Sequence, residues 1–129
     1  MSSRKILIVE DDAALRRGLG DRLRAKNFEP VFAVDGLSAV TVAQAERPDV
    51  VLLDLGLPAG DGFRVMERLR MIMHLAHVPI VVLTARDAQG NRDRALAAGA
   101  AAFLQKPVDN DALLAAIEQV LASPLDPGA

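Results

Sequence analysis

Five short apolar runs, rich in β-branched residues, punctuate the chain: KILIV from Lys5 to Val9, PVFAV from Pro30 to Val34, DVVLL from Asp49 to Leu53, VPIVVL from Val78 to Leu83 and AAFL from Ala101 to Leu104. They are continuous, not alternating. A strand with one face in water alternates apolar and polar residues, whereas a strand covered on both faces reads as an unbroken apolar run. The stretches between them carry helical spacing: Leu15, Leu19 and Leu23; Leu37, Val40 and Ala43; Phe63, Met66, Leu69 and Met73. Leu114, Ile117 and Leu121 repeat the pattern after the last run. Only the alanine-rich stretch from Ala88 to Ala98 is weakly patterned. Asp12, Asp35, Asp87 and Asp109 stand where a helix needs a side-chain oxygen for its first free amides. Strand and helix alternate five times. This predicts one α/β domain, a doubly wound (βα)5 parallel sheet with right-handed crossovers and helices on both faces, in the common strand order 2-1-3-4-5.

A chain of 129 residues, 51% hydrophobic, is long enough to fold around its own core without disulfides or a structural metal. It has no cysteine, which excludes zinc–thiolate, iron–sulfur and thiol-nucleophile chemistry and suits a reducing compartment; the cytoplasm is the expected location. No signal-peptide pattern opens the sequence, and no apolar run approaches the roughly 18 residues of a membrane span. Fifteen basic against seventeen acidic residues give a net charge of −2, with the basic ones dispersed, so direct nucleic-acid binding is not expected. The folded domain is expected to span residues 1–122, with 123–129 (SPLDPGA) a flexible tail and no output domain after it.

Parallel strands place all their carboxyl ends along one edge, and open α/β sheets bind ligands in the crevice there. The first run leads into Glu10, Asp11 and Asp12, the third into Asp54, the fourth into Thr84, and the fifth, past Gln105, into Lys106. Two carboxylates about 4 Å apart repel by roughly 4 kcal/mol at an effective dielectric near 20, so such a cluster calls for a cation. The donors are all oxygens, which suits magnesium or a similar divalent ion such as manganese. A carboxylate nucleophile, a metal site, a lysine and a hydroxyl donor are the parts that phosphoryl transfer uses.

KILIVEDD, LLDLGLPAGDGF, VVLTA and QKP together resemble the receiver domain of two-component response regulators, over nearly the whole chain. The resemblance implies a flavodoxin-like, CheY-like fold. It implies that Asp54 is the phosphoacceptor, that Glu10 and Asp11 are the acidic pair, and that the backbone carbonyl of Gly56 joins Asp11 and Asp54 around Mg²⁺. Thr84 would hydrogen-bond the phosphoryl group, Lys106 would bridge to it, and Phe103 would be the aromatic that changes rotamer with Thr84. Lys106-Pro107 resembles the family's cis peptide, and Leu57-Pro58 with Gly60-Asp61-Gly62 the loop beside Asp54. Such a domain is no enzyme in the ordinary sense but catalyses its own phosphorylation and dephosphorylation. Its implied partners are a sensor histidine kinase or histidine phosphotransfer protein and a downstream effector or output domain; the switched surface is the fourth helix, fifth strand and fifth helix.

Several residues set this chain apart within that resemblance. Ala101 and Ala102 precede Phe103, and the last helix has no Lys or Arg, so the salt-bridged dimer of winged-helix relatives is not expected. Gly56 and Arg86 hold positions that tune dephosphorylation in relatives. His74 and His77 lack a carboxylate partner at metal-ligand spacing and read as surface residues. Arg16, Arg17, Arg22, Arg24 and Lys26 read as a solvated helix face, with contact to the kinase as the alternative. A haloacid-dehalogenase-like phosphatase would need an aspartate at position 56, where glycine stands, and a flavodoxin-like cofactor binder would need a phosphate-cradling loop where EDD stands. A degenerate receiver serving only as an interaction module remains the third alternative.

Overall fold

The computed structural model describes residues 3–57, 62–85 and 88–122. Asp87, Arg86, the loop residues 58–61 and the expected tail 123–129 lie outside the described residues. The elements alternate as β1 (Lys5–Val9), α1 (Ala13–Arg24), β2 (Glu29–Ala33), α2 (Gly36–Glu46), β3 (Val50–Asp54), α3 (Gly62–Met71), β4 (Ile80–Thr84), α4 (Ala88–Ala97), β5 (Ala102–Gln105) and α5 (Asn110–Ala122). All strand pairs are parallel, in the order β2-β1-β3-β4-β5. The fold is the expected one.

The unbroken apolar runs are explained by burial on both faces. In β1 and β3 one set of side chains, Ile6, Ile8, Val50 and Leu52, packs with Leu19 and Leu23 of α1 and Leu113 and Ile117 of α5. The other set, Leu7, Val9, Val51 and Leu53, packs with Ala39 and Ala43 of α2, Val65, Met66 and Leu69 of α3, and Ala95 of α4. Two helices cover one face and three the other.

Strand limits differ from the apolar runs by a residue or two. β3 and β4 extend to the polar Asp54 and Thr84 because backbone pairing continues there, Asp54 beside Leu83 and Thr84 beside Gln105. Asp12 caps α1 by accepting from the Leu15 N–H at 2.9 Å. Asp35 accepts from the Ser38 N–H at 2.8 Å and its own N–H donates to Ser38 Oγ at 3.3 Å, closing a capping box on α2. Asp109 accepts from the Ala112 N–H at 3.0 Å.

Two residues assigned to apolar helix faces prove exposed: Leu37 is 75% and Met73 92% accessible. Leu37 lies in the first turn of α2, whose buried positions are Ala39 and Ala43. Met73 lies beyond the end of α3, in turns whose inward residue is Leu75. His74 and His77, in the same turns, are exposed. Gly20 of α1 is the one residue small enough for its place, since a Cβ there would stand 2.8 Å from the ring of Phe32 in β2. No helix among the described residues is long and apolar enough to cross a membrane.

Candidate functional site

The described residues bury only three polar side chains, and all three lie at the carboxyl edge of the sheet: Glu10, Asp54 and Thr84, at 1%, 4% and 3% exposure. A buried polar group persists only where its hydrogen bonds are met. The Glu10 N–H donates to Ala33 O at 3.1 Å, continuing the β1–β2 ladder one residue past the strand. Its carboxylate accepts from Lys106 Nζ at 2.7 Å and from the Asp12 N–H at 3.2 Å. Asp54 Oδ1 accepts from the Gly56 N–H at 3.0 Å and lies 3.3 Å from Lys106 Nζ. Lys106 is fixed from behind, its N–H donating to Thr84 O at 2.7 Å, and its peptide to Pro107 is cis. The first, third, fourth and fifth strands thus each deliver one group to a single place.

Glu10, Asp11 and Asp54 present carboxylate oxygens that all lie within 4.8 Å of one another, with Asp11 on the exposed side. Asp12 stands apart, occupied in capping α1. Burial raises the Glu10 pKa, and the Asp54 charge adds to the shift against the hydrogen bond from Lys106. Burial is also the largest single effect on Lys106 and disfavours its ammonium, but the Glu10 hydrogen bond and the charges of Asp54 and Glu10 outweigh it, so its pKa is raised. With three carboxylates against one ammonium, the formal charge is −2. An all-oxygen donor set with that deficit matches a hard divalent cation.

Above the cluster opens a cleft of about 500 Å³ lined by Asp54, Gly56, Thr84 and Lys106, and on the helix side by Phe63, Asn91 and Arg94. Phe103 of β5 is half-buried against the core on the α2–α4 face, paired in register with Val82. Sequence patterns did not reveal three contributors. Arg16, which reads as solvated helix surface, donates from Nη1 to Glu10 O at 2.9 Å and Asp11 O at 3.4 Å, holding the turn that carries the acidic pair. Asn91 and Arg94 come from the weakly patterned helix; no local spacing singles them out, and only the packing of α4 beside α3 brings them to the cleft.

Comparison with known proteins gives one consistent result. Residues 6–118 match the family model described as the response regulator receiver domain. The chain is 38% identical over 118 residues to the response regulator PleD of Caulobacter vibrioides, covering 92% of this chain and 26% of that protein. It is 37% identical over 119 residues to the phosphate regulon transcriptional regulatory protein PhoB of Escherichia coli, covering 92% of this chain and 52% of that protein. Among solved structures, the chemotaxis response regulator CheY4 of Vibrio cholerae superposes with a TM-score of 0.86 at 30% identity, covering 92% of this chain and 99% of that one. The receiver domain of sensor histidine kinase PA1611 from Pseudomonas aeruginosa also gives 0.86, at 31% identity over 94% of this chain and 99% of its own, and holds a magnesium ion in its active site cleft. With the sheet order, the edge cluster and these likenesses in agreement, the chain belongs to the response regulator receiver domain family of two-component signalling.

Proposed function

We propose that this domain takes a phosphoryl group onto Asp54 from a histidine kinase or histidine phosphotransfer protein and later releases it as inorganic phosphate. The observation that carries this is the 4% exposed Asp54 carboxylate, 3.3 Å from an ammonium and open to a cleft at the carboxyl edge of the sheet. A carboxylate oxygen of Asp54 attacks phosphorus, the phosphorus–nitrogen bond to the donor imidazole breaks, and the departing nitrogen takes a proton. Hydrolysis returns the carboxylate. Glu10, Asp11, Asp54 and the backbone carbonyl of Gly56 would hold Mg²⁺ or Mn²⁺, which when bound neutralises charge on the phosphoryl oxygens. Lys106 holds Asp54 in place and turns from its two carboxylates toward the phosphoryl oxygens. Thr84 donates its hydroxyl to one of them.

Phosphorylation replaces a single negative charge with one near −2 and adds acceptor oxygens, giving Thr84 a reason to move inward and Phe103 room to follow. Carrying a population from 1:99 to 99:1 takes roughly 5.5 kcal/mol, within reach of a few charge-assisted contacts of about 1.5 to 3 kcal/mol each. The α4–β5–α5 face is the surface so switched, offered to an effector or an output domain in the cytoplasm.

Incubation with Mg²⁺ and acetyl phosphate followed by intact mass tests the assignment. One phosphoryl adduct on the wild type, absent from Asp54→Asn and abolished by chelation, is expected. An adduct that persists in Asp54→Asn would remove Asp54 from the role.

A further inference from the structure

The described residues that line the cleft include two cations, and they differ in what they are free to do. Lys106 is committed, with Nζ 2.7 Å from Glu10 and 3.3 Å from Asp54. Arg94 makes no ion pair with any described residue. Its guanidinium carbon lies 3.9 Å from the ring centroid of Phe63, which reaches over from the first turn of α3. A guanidinium stacked by its face keeps its five N–H donors in the plane, at the edges, so the ring fixes the group without using up its hydrogen-bonding capacity. Asn91, one helical turn earlier and half-buried, lines the same cleft and adds an amide beside it.

The cleft is lined by Asp54, one of three clustered carboxylates whose oxygens lie within 4.8 Å of one another. A phosphodonor arrives as an anion. Lys106, already paired with Glu10 and Asp54, has little attraction left over to draw it in. Among the described residues lining the cleft, Arg94 is the cation without an ion pair.

We propose that Arg94, shelved on Phe63, is a docking cation that engages the phosphoryl oxygens of small dianionic phosphodonors of the acyl phosphate class before transfer. This rests on reading Asp54 as the phosphoacceptor. Arg94 takes no part in bond making; it governs how much donor is bound, and Phe63 is the positioning residue behind it.

The test is the rate of phosphorylation by acetyl phosphate with Mg²⁺, followed by intact mass across donor concentration. Arg94→Ala should raise the half-saturating donor concentration about fivefold, the worth of one partly exposed charge contact, and leave the plateau rate within about twofold. It should also flatten the salt dependence. Arg94→Lys should restore half-saturation to within about twofold, and Phe63→Leu should give a loss between the two. Half-saturation unchanged in Arg94→Ala, or equally poor in Arg94→Lys, overturns the docking role. A second readout does not depend on transfer: in Asp54→Asn, titration with inorganic phosphate should shift the Arg94 Nε–H resonance to saturation. No shift overturns the proposal even if Asp54 is phosphorylated normally. A saturable shift in a protein whose wild type gains no phosphoryl adduct keeps Arg94 as an anion site and removes the phosphoacceptor reading instead.

Discussion

Glu10 and Asp54 share one ammonium, and that imbalance makes the site a source of instability as well as of chemistry. Without divalent metal, Asp54→Asn should stabilise the fold by about 1 kcal/mol in urea unfolding, since relief of carboxylate repulsion exceeds the loss of a lysine contact that Glu10 still shares. Mg²⁺ should stabilise the wild type, by about 2.7 kcal/mol at a hundredfold excess over its dissociation constant, and Asp54→Asn markedly less. Glu10 adds a pH signature. Its folded pKa lies above the ordinary value of 4.5, so the native state binds the proton more tightly than the unfolded chain does. Its contribution favours folding most at and below that ordinary value and is lost as pH rises through the raised one. Metal-free wild type should therefore gain stability relative to Glu10→Gln as pH is lowered toward 4.5; a difference that stays flat rules out Glu10 as the group concerned.

At the level of elements, helix starts and strand ends carry the design. The Asp35 pKa is lowered first by the backbone N–H of Ser38 and then by its hydroxyl, so this cap supports folding above about pH 3.8 and ceases to as pH falls through the lowered value. The stability gap between wild type and Asp35→Ala should narrow with acidification. Gly62 opens α3 so close to the end of β3 that a Cβ would stand 2.9 Å from Leu55 Cα and 3.0 Å from Asp54 O, both backbone atoms. Gly62→Ala should cost about 1 to 3 kcal/mol and slow phosphorylation by displacing the strand end that bears Asp54. The strands and the edge residues Glu10, Asp54, Thr84 and Lys106 were legible because burial on both faces writes a continuous apolar run, and a polar residue ending such a run stands out. Leu37 misled because helical periodicity does not reveal which residues of a first turn face the core, and Met73 because it does not reveal where the helix stops. Arg94 was invisible for a different reason: its meeting with Phe63 joins two helices with a whole strand between them in sequence.

For the molecule as a whole, the sheet divides the core into two apolar layers, one under α1 and α5 and one under α2, α3 and α4. Leu52 belongs to the first layer and Leu53 to the second, each fully buried. Either Leu→Ala change should cost about 2 to 5 kcal/mol in chemical unfolding, a large share of a domain's roughly 5 to 15 kcal/mol. The bond between Lys106 and Glu10 closes the same architecture across 96 residues of sequence. Protein synthesis runs from the amino terminus, so the acidic pair is made before β5 and its counter-charge only after it. Until then the nascent chain carries these carboxylates without the ammonium that pairs with Glu10 and Asp54, and the edge cluster is completed only when the fifth strand has been made.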